Sequence, residues 1–200
     1  PSASQQIRIV PAGTPVEEAT LDSTEELQPG GAYQLTVSGL TVEELSSWIS
    51  GVDVSPTTAE HARVRVVHAS PDLGAINVST GEGDVPFENI ESGNQSGYVE
   101  FPAEPRDFQL RISGEDTLLL ETADPIQLEE GKNYDIYVLG ESEAGTLEMV
   151  TYEAEVGIAG EATPAAVATP VAAAASTPVA LDEPGDQTPA ATPEESDDDQ

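Results

Sequence analysis

The chain has 200 residues, with 38 carboxylates against six basic side chains and a formal net charge of -32. A field of that sign repels phosphate backbones and anionic lipid surfaces, so direct nucleic-acid binding is excluded, while basic partners and divalent cations are attracted. The absence of cysteine rules out a disulfide framework, a thiolate zinc site and a thiol nucleophile, and no apolar run approaches the roughly 20 residues of a membrane-spanning helix, so no membrane insertion is expected.

In chain order, residues 5–55 open with an Ile7-Arg8-Ile9 strand pattern and continue to Leu27-Gln-Pro-Gly-Gly-Ala-Tyr33 and Gly39. The one helix candidate is Thr41–Ser47, where Glu43, Glu44 and Leu45 follow a capping-type Thr; the same stretch also reads as a loop. Trp48, the single Trp, is expected in a core rather than as a flat platform for a sugar ring. Residues 56–61 read as a linker, with His61 solvated.

From residue 62 the pattern is that of strands. Val64 and Val66 alternate with Arg63 and Arg65, a period of two. Ser70-Pro71-Asp72 ends that run with turn chemistry. Further strands are expected at 75–79, 85–90, 97–101, 106–113, 117–122, 133–139 and 146–152. Gly and Asp clusters at Gly81–Asp84, Gly93–Asn94, Gly114–Asp116 and Glu130–Asn133 separate them. Short, regularly spaced strands predict an all-β antiparallel sandwich.

Composition changes after about Val156. Residues 157–200 hold nine carboxylates, no aromatic and no basic residue, and they repeat Thr-Pro five times, at Thr163, Thr169, Thr177, Thr188 and Thr192. Proline removes a backbone donor and fixes φ, and so little apolar surface does not offset an ordering entropy of about 1–2 kcal/mol per residue. A disordered acidic tail is expected, either an O-glycosylated stalk or an unmodified solubilising segment.

An internal repeat organises the rest. Leu27, Gly30, Tyr33 and Gly39 match Leu128, Gly131, Tyr134 and Gly140 at an offset of 101, and Ile7–Ile9 matches Leu110–Ile112 at an offset of 103. Residues 1–55 therefore read as the C-terminal half of a first sandwich repeat, and residues 62–156 as a complete one. Either the chain opens inside a domain or the half-domain pairs with something else. On the first alternative we expect about 50–60 further residues upstream, a missing half and a signal segment. The Leu-x-x-Gly-x-x-Tyr spacing fits the tyrosine corner of immunoglobulin-like sandwiches, in which a buried Tyr returns its hydroxyl to nearby backbone. Tyr33 and Tyr134 are the corner candidates, Gly30 and Gly131 supply the turns, and Leu27 and Leu128 pack beside the rings.

Chemistry-bearing residues are sparse. His68, Ser70 and Asp72 invite comparison with a catalytic triad, but neighbours on one strand end and its turn rarely converge as a triad requires. We expect Ser70 and Asp72 to cap the turn and His68 to bond nearby backbone, and no catalytic residue is assigned. Carboxylates at Gly81–Asp84, Glu115–Asp116 and Glu141–Glu143 would suit weak calcium binding, with a dissociation constant of about 10⁻⁴–10⁻³ M for extracellular modules. None has the spacing of a known calcium loop, and two histidines are too few for a zinc site, so no metal site or cofactor is assigned.

Four strings carry a family resemblance: Ala62-Arg-Val-Arg-Val-Val-His-Ala-Ser-Pro-Asp72, Val85-Pro-Phe-Glu-Asn-Ile90, Ser96-Gly-Tyr-Val-Glu-Phe-Pro-Ala103 and Glu130-Gly-Lys-Asn-Tyr134. They resemble the bacterial and archaeal "domain of unknown function 4397" family over residues 62–152, with 5–55 as a partial second copy. Leu73-Gly-Ala-Ile-Asn77 departs from the family's usual Ala-Pro-x-Val-Asp, so an amide stands where a carboxylate is usual, and two residues are missing near Ser113-Gly114. The resemblance implies a secreted or envelope protein, often with tandem copies, and no established activity. The expectation is a non-catalytic module, extracellular or on the cell surface, meeting an envelope or extracellular partner; the alternative is a glycan- or calcium-binding surface module.

Overall fold

The computed structural model describes residues 3–39, 41, 45–156, 168–170 and 177–178. It is all-β, built from antiparallel sheets with one parallel pairing, and its only helical element among the described residues is a single 3₁₀ turn at Val16–Glu18.

The N-terminal part is two hairpins. Strands β1 (Ala3–Ile9) and β2 (Leu21–Leu27) pair antiparallel, as do β3 (Ala32–Ser38) and β4 (Ser46–Val52). The helix expected over Thr41–Ser47 is corrected at its end: Ser46 and Ser47 already belong to β4, where they pair with Ser38 and Val37. Residues 42–44 of that expectation lie outside the described residues. Cross-strand hydrogen bonding outweighs the weak local helix preference of so short a segment.

Eleven strands follow: β5 (His61–His68), β6 (Ile76–Thr80), β7 (Phe87–Ile90), β8 (Asn94–Gln95), β9 (Val99–Pro102), β10 (Pro105–Arg106), β11 (Phe108–Ile112), β12 (Leu118–Glu121), β13 (Ile126–Gln127), β14 (Lys132–Leu139) and β15 (Glu148–Glu155). One sheet runs β12-β11-β6-β7. The other runs β15-β14-β5, with β8 and β9 both pairing against β5. Every pairing in them is antiparallel except β5 with β14, which is parallel. Short strands β10 and β13 form a separate two-residue ladder.

One core cluster draws on both sheets. Ala62, Val64 and Val66 of β5 and Tyr134, Ile136 and Val138 of β14 meet Ile76, Val78, Phe87, Phe108, Leu110 and Leu120 from the other sheet. Each fully buried aliphatic or aromatic side chain stabilises the fold by about 1.5–3 kcal/mol relative to exposure. Phe101 bridges Phe87 and Phe108, with ring centroids 6.1 and 6.0 Å apart, the second contact edge-on, a favoured aromatic geometry.

Two expectations about segment ends are corrected. His61, expected as a solvated linker residue, is the first residue of β5; it is half-buried, and its ring Nδ1 lies 2.7 Å from the Ala59 carbonyl. In the tail, expected to be disordered throughout, Ala168–Pro170 (β16) pairs with β15 and Thr177–Pro178 (β17) pairs with β12. Both are outermost strands of their sheets, the position where a proline's missing donor costs no ladder bond. The remainder of the expected disordered tail lies outside the described residues.

Candidate functional site

The repeat motif is a pair of like-built corners. Gly30 and Gly131 both have φ of +77°, a left-handed conformation that glycine adopts without a Cβ penalty. The hydroxyl of Tyr134 accepts from the Glu129 amide at 3.0 Å and donates to the Gln127 carbonyl at 2.9 Å. Burial pushes the Tyr134 phenol up to about 12, so it stays a neutral donor. Tyr33 makes the first of these contacts, its hydroxyl accepting from the Gln28 amide at 2.7 Å. Leu128 is buried in the core cluster and Leu27 is half-buried. The two corners differ in environment: Tyr134 is 1 % exposed and Tyr33 36 %.

The turn after β5 commits its polar side chains to the scaffold. His68 is fully buried, and its Nε2 lies 3.0 Å from the Gly74 carbonyl. A carbonyl only accepts, so Nε2 carries the proton and the neutral ring leaves Nδ1 bare. Burial lowers the His68 pKa against the opposing pull of that carbonyl and of Asp72. The Ser70 hydroxyl donates to Asp72, not to His68. Asp72 also accepts from the Ser142 and Glu143 amides at 3.0 Å each, clasping the β14–β15 turn. Burial works against the Asp72 carboxylate, but these bonds outweigh it and hold its pKa below the usual value. The three residues thus form a turn lock.

The acidic loops are likewise engaged or dispersed. Glu82 pairs with Arg106 at 2.9 Å. Glu115 and Asp116 line a shallow groove of about 270 Å³ beside Arg111 and Asn77. Among the described residues, no three acidic or histidine side chains come together in a metal-holding group.

The densest polar site is one the sequence reading passed over. Arg63, Arg65 and Val67 leave β5 on the face opposite the core, beside Asn133, Asp135 and Tyr137 of β14, their register partners. An alternating strand with one apolar face ordinarily leaves the other to water. Here both faces of β5 are buried, because hairpin β3–β4 lies over the outer one. Arg65, 2 % exposed, is the hub. Its Nε and Nη2 donate to the two oxygens of Asp135 at 3.0 and 2.6 Å, Nη2 also reaches the Gln34 side-chain oxygen at 2.7 Å, and Nη1 reaches the Gly51 carbonyl at 3.1 Å. The guanidinium lies 4.6 Å from the centre of the Tyr98 ring, whose hydroxyl donates to Asp135 at 2.9 Å. Burial opposes the charge on Arg65, but the bonds and charge of Asp135 outweigh it and keep it protonated. Burial also raises the Tyr98 pKa, with the nearby Asp135 charge adding to the rise.

Arg63 fastens the connecting segment in the same way. It donates to the Ser55 and Pro56 carbonyls at 2.9 and 2.7 Å and pairs with Asp53 and Glu100, while the Asn133 amide reaches the Asp53 carbonyl at 2.6 Å. No signal within β5 finds this site, since arginines alternating with apolar residues have the pattern of a half-solvated strand. Trp48 belongs to the same seam: it pairs with Thr36 in the register and is half-buried.

A second feature is a groove of about 460 Å³ along β7 to β9, lined among others by Glu88, Asn89, Glu91, Asn94, Gln95 and Tyr98. Asn89 sits there with φ of +51°, its amide held by the Asn77 side chain at 2.7 Å. The Asn77 amide oxygen is the acceptor at this point, a role that a carboxylate oxygen could equally fill.

The family's sequence profile, described as Domain of unknown function (DUF4397), matches residues 62–167, more than half of the chain. The chain belongs to this family. The match spans every strand from β6 to β15 and all but the first residue of β5. It also runs eleven residues past Val156, where the composition alone put the domain's end. No curated protein matches the chain.

Proposed function

We propose that this chain is a non-catalytic extracellular or cell-envelope module whose role is structural or protein-binding. On this reading residues 62–156 form an immunoglobulin-like β-sandwich, and residues 1–55 are the C-terminal half of a second copy stacked on its outer face. The two core-sharing sheets and the Tyr134 corner support the sandwich. Because β5 lies inside its sheet rather than at an edge, the likeness to immunoglobulin domains rests on the layers and the corner, not on strand order.

The observation that carries the functional reading is where the reactive side chains are spent. His68, Ser70, Asp72, Arg65 and Asp135 all hold backbone segments or stacked layers together, which is the use expected of a module that bears load or presents surface. Fractionation of the producing cell is the direct test: the protein is recovered outside the cytoplasm, bound to the envelope or released from it. Recovery in the cytosol would sink the proposal.

A second reading, as a glycan- or calcium-binding surface module, draws on the β7–β9 groove, whose volume suits a small ligand and whose amides and carboxylates suit sugar hydroxyls. A glycan array and calcium calorimetry separate the two readings: a saturable response abolished by Asn94→Ala with Gln95→Ala supports the second, and silence in both leaves the first.

A further inference from the structure

We infer that the outward face and free edge of β3 form a docking surface for the opening half of another family repeat. The inference rests on reading residues 1–55 as a partial copy, and it names the partner that this copy takes.

The repeat supplies its own comparison. At the 101-residue offset, Tyr33, Leu35 and Val37 of β3 correspond to Tyr134, Ile136 and Val138 of β14. In β14 these three face the core and are 1, 0 and 0 % exposed; in β3 they are 36, 43 and 40 % exposed. The intervening residues of the two strands behave alike: Gln34 bonds Arg65 and Thr36 is buried, as are Asp135 and Tyr137 across the seam. The apolar face of β3 is therefore a core face without its opposing layer, and three adjacent exposed apolar side chains on one strand mark a contact surface.

The edge tells the same story. Strand β14 pairs with β15 on one side and with β5, in parallel, on the other. Among the described residues β3 pairs with β4 alone, so its second row of amides and carbonyls is an open template for strand addition. In the complete repeat β5 takes the edge, and the face of β14 is covered from the other sheet by Ile76, Val78 and Phe87 of β6 and β7 together with Phe108, Leu110 and Leu120 of β11 and β12. A polypeptide with the strand pattern of residues 62–103 therefore supplies β3 with the parallel edge strand and the β6–β7 part of the opposing apolar layer.

The experiment uses the 200-residue chain and an extended form. Ile7 and Leu110 are related by an offset of 103, which sets Pro1 opposite Glu104, so a copy of residues 56–103 joined ahead of Pro1 keeps the spacing of the complete repeat. We expect the unextended chain to bind the apolar dye anilinonaphthalene sulfonate, and Leu35→Lys with Val37→Lys to remove that binding without lowering Tm. In the extended chain dye binding disappears and the β3 amides gain protection from hydrogen exchange. Three results overturn the inference: unchanged dye binding and β3 exchange in a folded extended chain; a concentration-dependent dimer of the unextended chain that already protects β3; or, if the extended chain does not fold, a double-lysine variant that loses Tm while dye binding persists. None of these bears on where the protein resides, so they leave the fractionation test of the proposed function standing.

Discussion

Arg65 and Asp135 are register partners across the only parallel pairing among the described strands, and their side chains leave β5 and β14 on the same face to meet in a two-point ion pair. Parallel pairing aligns the two residues without a turn between them, and the β3–β4 hairpin then seals them from water. Desolvation makes such a pair costly to form and costlier to break on one side. Asp135→Ala strands a buried guanidinium and is expected to destabilise the fold by about 3–5 kcal/mol. Arg65→Met combined with Asp135→Leu replaces charge with apolar volume and recovers most of that loss. Urea unfolding of the two variants checks both halves; equal losses would mean that Gln34 and the Gly51 carbonyl, not Asp135, hold Arg65 in place.

The two corners offer a paired comparison. Tyr134→Phe removes a hydroxyl that, on a buried side chain, both accepts from the Glu129 amide and donates to the Gln127 carbonyl, and is expected to cost about 1–3 kcal/mol. Tyr33 takes only the Gln28 amide, and at an exposed site water replaces it; Tyr33→Phe is expected to cost less than about 1 kcal/mol. Thermal unfolding of the pair ranks them. Similar losses would show that Tyr33 is buried in the protein as it exists in solution.

The strands were readable because alternation carries the signal. Val64 and Val66 announced β5, and the turn residues around Gly81, Gly93 and Gly114 bracketed β6 to β12 closely. What was not readable is the second coat on β5. Arg63 and Arg65 have the pattern of a solvated face, and only the long-range approach of Gln34, Gly51 and Asp53 turns that face inward. The two-residue strands β8 and β13 escaped for a related reason: each is set by its partner, Val67–His68 for one and Pro105–Arg106 for the other, and not by its own residues. The same holds for Ser46 and Ser47, whose extended state comes from pairing with β3. The local part of the turn lock was legible, His68 bonding the Gly74 carbonyl and Ser70 bonding Asp72 within the turn, whereas the reach of Asp72 to the Ser142 and Glu143 amides is a long-range contact that the local residues do not announce.

His68 sets a pH dependence. Its folded pKa lies below the unfolded value of about 6.5, so between those values the unfolded chain binds the additional proton. Its contribution to stability is therefore complete above about pH 6.5 and is lost as pH falls through the folded value. Asp53, held low first by the Ser55 hydroxyl, and Glu100, held low first by the Thr58 hydroxyl, lose their contributions only in the carboxylate range near pH 4 and below. Unfolding free energies at pH 7.5 and 5.0 thus isolate the imidazole. Stability falls on acidification in the natural chain, and His68→Gln, which keeps a donor for the Gly74 carbonyl, flattens the slope. A slope that survives the substitution would assign it to another group.

Net charge makes the remaining prediction. Of the 38 carboxylates, 29 lie in residues 1–156 against all six basic side chains, and five of those six are engaged in pairs: Arg8 with Asp22, Arg63 with Asp53 and Glu100, Arg65 with Asp135, Arg106 with Glu82 and Glu104, Lys132 with Glu129 and Glu153. Like charges therefore predominate in residues 1–156, and salt screens their repulsion over about 10 Å at 0.1 M. The buried Arg65–Asp135 pair is screened far less, so added salt relieves repulsion while leaving the principal attraction intact. Tm is expected to rise between low salt and about 0.2 M sodium chloride, where the screening length is shorter still. A fall or a flat response in chelator-treated protein would mean that the carboxylates are not the dominant repulsive term. A flat response that becomes a rise only after chelation would instead reveal cations already bound to the surface, and would move the balance toward the calcium-binding reading.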